Sequence, residues 1–106
     1  MSDYLLLFQG GGMPETEEAK KQVMDAWTSW FTELGSAVKD PGNPFSGQAK
    51  TISSDGSVTD GSGGGNASGY TILSADSLDE ATTLAKGCPV LQGGANLMVF
   101  ETFNVM

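Results

Sequence analysis

Residues 69–87, GYTILSADSLDEATTLAKG, decide the architecture. The first half alternates. Tyr70 and Ile72 fall on one side of an extended chain and Thr71 and Leu73 on the other, because successive strand residues point to opposite faces. A strand is predicted over Gly69–Ala75. Ser77-Leu78-Asp79-Glu80 then matches a capping box, in which the Ser oxygen accepts one free backbone N–H and the Glu reaches back to another. A helix is predicted over about 77–87, with Leu78, Ala81, Leu84 and Ala85 facing inward. Gly87 suits its C-terminal end, and Pro89 cannot continue it.

Working outward, Tyr4–Phe8 (YLLLF) is an apolar run too short for an ordinary helix and is followed by Gly10-Gly11-Gly12. It reads as a buried strand, with Tyr4, Leu6 and Phe8 on one face and Leu5 and Leu7 on the other. Residues 16–39 read as a helix, since Val23, Trp27, Trp30, Phe31, Leu34 and Val38 recur at steps of three and four. Thr16 is its predicted N-cap, Glu17 and Glu18 complement the positive helix end, and Glu17 and Lys21 form an i,i+4 pair. Asp40-Pro41-Gly42-Asn43-Pro44 stops this helix.

Residues 40–69 carry 8 of the 15 Gly. Within them Gln48–Ser53 and Ser57–Thr59 read as two short strands, with Asp55-Gly56 as a two-residue hairpin turn. Asp60–Ser68 (DGSGGGNAS) reads as a flexible connection. Asn96–Val105 is predicted to be a long final strand, with Leu97, Val99, Phe103 and Val105 on one face and Met98 and Phe100 on the other.

This order is βαββαβ with an added hairpin, an α+β, ferredoxin-like pattern. Two helices cover one face of such a sheet. The first and last strands carry large apolar residues on both faces, so the second face also needs cover. A second copy of the chain is the simplest cover, and a homodimer packed sheet against sheet is predicted.

Composition excludes several functions. The 106 residues fit one domain, taken as 1–106. Five Lys, no Arg, no His and 13 acidic residues give a net charge of −8. Phosphate-neutralising nucleic-acid binding and attachment to an anionic membrane are both disfavoured. The acidic start MSDYLLLFQGGG does not read as a signal peptide, and no apolar run is long enough to span a bilayer. One Cys, Cys88, cannot form an intrachain disulfide and favours a reducing compartment. A cytoplasmic location is expected.

Several segments in order resemble one family: YLLLFQGG (4–11), the helix with Trp27 and Trp30, GNPF (42–45), VTDG (58–61), GY-x-I-x-x-ADSLDEA (69–81), LAKGCP (84–89) and Gly93-Gly94. Together they resemble the YCII-related proteins, in particular the branch named for a DGPF motif. The resemblance covers nearly the whole chain and implies a dimeric α+β barrel of ferredoxin-like subunits. This chain reads Asp60-Gly61-Ser62-Gly63 where that branch has Asp-Gly-Pro-Phe. It also has Cys88-Pro89 where some relatives have Asp-Pro. The His–Asp mechanism that the resemblance implies for enzymatic members has no His here to carry it.

Other patterns carry less chemistry. Gly10-Gly11-Gly12 precedes a helix whose start already bears Glu15, Glu17 and Glu18, which repel a phosphate. Asp55–Asn66 places Asp55, Ser57 and Thr59 at positions 1, 3 and 5 of a calcium loop. It has Asp60 where that loop needs Gly and Asn66 where it needs Glu. No metal or cofactor is expected. Without His, no Ser-His-Asp site forms. Cys88, near the negative end of the second helix, reads as structural. The expected function is small-molecule binding in a cleft between the first helix and the sheet, lined by Trp27, Trp30 and Tyr70. The alternatives are a lyase or isomerase using Asp60 or Glu101 as acid or base, and a protein-interaction module whose Gly-rich loop, 61–69, orders on binding.

Overall fold

The structure, a computed structural model, describes residues 2–11, 14–62 and 66–103. The strands are β1 (Ser2–Gln9), β2 (Val38–Asp40), β3 (Lys50–Ile52), β4 (Val58–Asp60), β5 (Ala67–Ala75) and β6 (Asn96–Glu101), and the helices are α1 (Glu17–Leu34) and α2 (Leu78–Ala85). Four strands form an antiparallel sheet in the order β2-β5-β1-β6, and β3 and β4 pair as a separate ribbon. The two β-α-β units and this order are the ferredoxin-like arrangement. The fold is α+β as the sequence indicates.

Burial follows strand alternation. Tyr4, Leu6 and Phe8 of β1 and Gly69, Thr71, Leu73 and Ala75 of β5 are buried beneath the helices. Leu6, Phe8, Trp30, Leu73, Ala85 and Cys88 form one cluster, and Tyr4, Ala75 and Ala81 form a second under α2. Burying large apolar side chains such as Leu6, Phe8 and Leu73 contributes roughly 1.5–3 kcal/mol each relative to exposure. Ser77 caps α2 as predicted, its Oγ accepting from the Glu80 N–H at 3.0 Å. Thr16 caps α1, accepting from the Ala19 N–H at 3.0 Å.

Four expectations need correction. First, α1 stops at Leu34, not 39. Gly35 takes φ 57° and its N–H donates to the Phe31 carbonyl, a backbone conformation that Gly adopts without a Cβ penalty. Val38 therefore belongs to β2 and pairs with Leu73, so β2, and not the hairpin, is the second strand of the sheet. Second, the hairpin loop has three residues. The Ser53 N–H reaches the Ser57 carbonyl and the Gly56 N–H the Ser53 carbonyl, both at 2.8 Å, with Gly56 at φ 89°. That is a turn followed by a left-handed Gly. Third, Val23 and Leu78 are exposed and do not face the core, and Lys20, not Lys21, lies beside Glu17, at 3.6 Å. Fourth, β6 ends at Glu101, and Phe103 lies beyond it, exposed. Val105, Gly12 and Gly63–Gly65 lie outside the described residues.

Candidate functional site

The helices cover only one face of the sheet. The other face presents Leu5 and Leu7 from β1, Tyr70 and Ile72 from β5, and Met98 and Phe100 from β6. They are aligned by the pairs Leu5↔Ile72, Leu7↔Tyr70, Leu5↔Phe100 and Leu7↔Met98. None of these six is fully buried, and Phe100 is 45% exposed. This apolar, open face is the candidate site.

A strap positions one end of it. After β2 the chain runs beside β5: the Tyr70 N–H donates to the Asn43 carbonyl, the Phe45 N–H donates to the Ser68 carbonyl, and Pro44 bridges Gly69. The buried Thr71 hydroxyl donates to the Pro41 carbonyl at 2.9 Å. Gly42 makes the close approach possible. It sits at φ 73°, and a Cβ there would fall 1.7 Å from the Tyr70 oxygen. Its N–H donates to Asp40 Oδ1 at 2.9 Å. The strap sets the Phe45 ring 6.1 Å from the Tyr70 ring, tilted 31°, within the range of favourable aromatic contacts.

The other end of the face is polar. Ser74 Oγ donates to Asp3 Oδ1 at 3.2 Å, and Lys39 Nζ stands 3.9 Å from the same oxygen. Ser74 lies four strand positions from Tyr70, about 13 Å at ~3.3 Å per residue. An apolar floor thus runs from a half-open aromatic pair to an ionic cluster. Asp3 was legible from alternation, since it shares a face with Leu5 and Leu7. Lys39 was not, because its segment reads as helix.

The expected lining residues do not converge. Trp27 and Trp30 lie on the covered side. There Trp27 packs against Phe8, Trp30 and Phe31 with ring separations of 5.5–5.7 Å, and Trp30 is buried, its Nε1–H donating to the Leu84 carbonyl at 3.3 Å. A Cβ at Gly87 would come 3.2 Å from that nitrogen, so Gly87 is what admits the indole. Tyr70 is on the opposite face. The three residues are separated by the sheet, and the space between α1 and the sheet is packed core.

The carboxylates are also apart. Asp60 sits on the exposed ribbon, 2.7 Å from Lys50 Nζ, at an open groove of about 520 Å³ with Gly47, Gln48, Ala49, Lys50 and Gly61. Glu101 is exposed at the end of β6, where its Oε2 accepts from the buried Tyr4 hydroxyl at 3.3 Å. Burial and the neighbouring Glu101 charge push the Tyr4 hydroxyl above its ordinary value of 10.0. Burial pushes the Cys88 thiol up to about 11. At neutral pH that thiol is protonated and a poor nucleophile. Two backbone and side-chain hydrogen bonds from Ser57 hold the Asp55 carboxyl below its ordinary value. Among the described residues no cluster of acidic or Cys side chains could hold a metal ion, and no helix is long and apolar enough to cross a membrane.

The fold defines a ferredoxin-like α+β protein with one open sheet face. No family model matches the chain, and no curated protein matches it. Among solved structures it is similar to 5-chloro-2-hydroxyhydroquinone dehydrochlorinase (TftG) from Burkholderia phenoliruptrix AC1100, in complex with 2,5-dihydroxybenzoquinone. The identity is 18% over 95% of this chain and 93% of that one, with a TM-score of 0.54. At this identity the likeness shows the ferredoxin-like fold alone, and the YCII-related reading rests on the sequence resemblance. The DGPF branch rests on the sequence resemblance alone.

Proposed function

We propose that this protein, a YCII-like domain of the DGPF type over residues 1–106, is a cytoplasmic small-molecule-binding homodimer. Its ligand would lie on the open sheet face. The observation that carries the reading is the arrangement of that face: Phe45 and Tyr70 stand as a half-open aromatic pair at one end, and Asp3, Ser74 and Lys39 form a polar group at the other. Ligand sites are largely apolar with a few polar groups that set orientation. A planar, oxygenated ring fits the aromatic end, and only a ligand extending about 13 Å along the strands would also reach the polar group. Trp27 and Trp30 support the site from behind, through the sheet.

The face also motivates the dimer. The chain is a slab, 44 × 40 × 18 Å, with a radius of gyration of 15.3 Å, against about 13 Å for a compact domain of this length. Its accessible surface is 7457 Å², whereas a compact monomer of 11.0 kDa exposes about 5,600 Å². The excess is about twice the ~800 Å² that each partner buries in an ordinary interface.

Thermal-shift titration with hydroxylated quinones, 2,5-dihydroxybenzoquinone first, tests the binding reading. The native protein is expected to gain stability on titration. Phe45→Ala and Tyr70→Ala should abolish that gain while the far-UV spectrum is unchanged. Equal shifts in native and variant proteins, or none across a broad metabolite panel, would remove the support for this face as the site.

A further inference from the structure

We propose that Thr71 is the positioning residue of the open-face site: its hydroxyl holds a one-residue bulge at Pro41-Gly42, and that bulge turns Phe45 to the same face as Tyr70. The proposal rests on the reading that the Phe45–Tyr70 pair binds the ligand, and it names the group that sets the pair.

The register along β5 shows the extra residue. Asp40 stands opposite Ile72. Further along, the Tyr70 N–H donates to the Asn43 carbonyl, Pro44 bridges Gly69, and the Phe45 N–H donates to the Ser68 carbonyl. The strap thus takes three steps, from Asp40 to Asn43, where β5 takes two, from Ile72 to Tyr70. An extra residue of this kind re-aims the side chains that follow it, because a slip of one position exchanges the two faces. With the bulge, Pro44 lies opposite the buried Gly69, and Phe45 falls on the side of Tyr70, its ring 6.1 Å away. Without it, Asn43 would oppose Gly69, and Phe45, two positions on, would turn to the helix side.

A bulge leaves the ladder locally broken, and here the strap has no backbone donor with which to mend it. Pro41 lacks an N–H, and the Gly42 N–H turns back to Asp40 Oδ1 at 2.9 Å. A side chain supplies the missing rung: the Thr71 hydroxyl donates to the Pro41 carbonyl at 2.9 Å. Thr71 is wholly buried, and among the described residues it is the one buried polar side chain. A buried hydroxyl needs a partner, whereas an isosteric Val would pack there without one. What the hydroxyl adds is therefore its bond to the strap, and removing it leaves the Pro41 carbonyl without that donor.

The test compares Thr71→Val, which keeps the shape and removes the hydroxyl, with Thr71→Ser, which keeps the hydroxyl. In the ligand-free native protein, NMR should show a cross-peak between the Phe45 and Tyr70 rings and a protected Phe45 amide. Thr71→Val should lose the cross-peak and exchange the Phe45 amide roughly tenfold faster, while the amides of the central strand β1 stay protected. Thr71→Ser should behave as the native protein does. A chain lacking Gly42, whose strap returns to a regular ladder, should lose the same cross-peak with its far-UV spectrum unchanged. Should Thr71→Val fail to fold, that chain and Thr71→Ser decide the proposal. A cross-peak and Phe45 protection that persist in Thr71→Val, or that are lost in Thr71→Ser, would overturn Thr71 as the positioning residue. A cross-peak retained without Gly42 would overturn the bulge. The thermal shift with 2,5-dihydroxybenzoquinone, read in parallel, should fall in Thr71→Val and recover in Thr71→Ser. No shift in the native protein, with the NMR results as expected, would remove the binding reading and leave the positioning of Phe45 standing.

Discussion

The two faces of the same sheet are built from the same kinds of residue and behave differently. On the covered face Tyr4, Leu6 and Leu73 are wholly buried against α1 and α2. On the other, Leu5, Leu7 and Ile72, one position away along the same strands, are only half-buried. Strand alternation makes apolar residues on both faces expensive to leave in water, at roughly 25 cal/mol per Å² of apolar area. The chain itself covers one face. What covers the other is the functional question, because a surface that is apolar, shaped and rimmed by polar groups is where a ligand or a partner subunit docks.

The largest expected effect lies on the covered face. Trp30→Ala removes a buried indole and its hydrogen bond to Leu84, and should cost about 3–5 kcal/mol in urea denaturation, independent of protein concentration. Ile72→Ala on the open face should act chiefly by weakening the dimer, and so should reduce the concentration dependence of the Tm. Equal, concentration-independent losses at both sites would erase the distinction between the faces.

Gly42→Ala probes the strap that sets Phe45 against Tyr70. Alanine must adopt φ 73° and place its Cβ against the Tyr70 carbonyl, so strained backbone alone costs about 1–3 kcal/mol. The strap should detach and the ligand response should fall with it. Unchanged stability and ligand response would mean that the strap does not shape the site.

The smallest effect is alkaline and belongs to the covered face. Tyr4 and Cys88 both have pKa values raised in the folded protein, Cys88 from 9.0 to about 11. Each group is held neutral by the fold. Its stabilisation is complete below the unfolded value and is lost as pH rises through the folded one. The urea midpoint should therefore hold to about pH 9 and decline towards pH 11, less steeply in Tyr4→Phe. A midpoint that rises over that interval would reverse the assigned sign.

Much of the covered face was legible in the sequence. The alternation of Tyr4–Phe8 and of Gly69–Ala75, and the capping box at Ser77, are local signals that the tertiary structure keeps. What escaped depends on one residue's backbone. Val38 follows Leu34 at helical spacing, so periodicity carried the helix past Gly35, although a Gly there is itself a stop signal. With β2 hidden inside a helix, Lys39 could not be placed beside Asp3, and the hairpin took β2's place in the topology. The Tyr70 side was readable from alternation with Ile72. Its separation from Trp27 and Trp30 was not, because aromatic residues on a helix and on a strand carry no mark of which sheet face brings them together. The Phe45–Tyr70 pair depends on the strap, which no periodicity encodes.

The central claim is that a second copy shields the open face. Light scattering coupled to size exclusion at micromolar concentration tests it, with Leu7→Asp as the companion variant. The native protein should elute at about 22 kDa, twice its 11.0 kDa chain mass, and Leu7→Asp at a single chain's mass with its far-UV spectrum intact. A native mass of one chain, with Leu7, Ile72 and Phe100 left in water, would contradict the account.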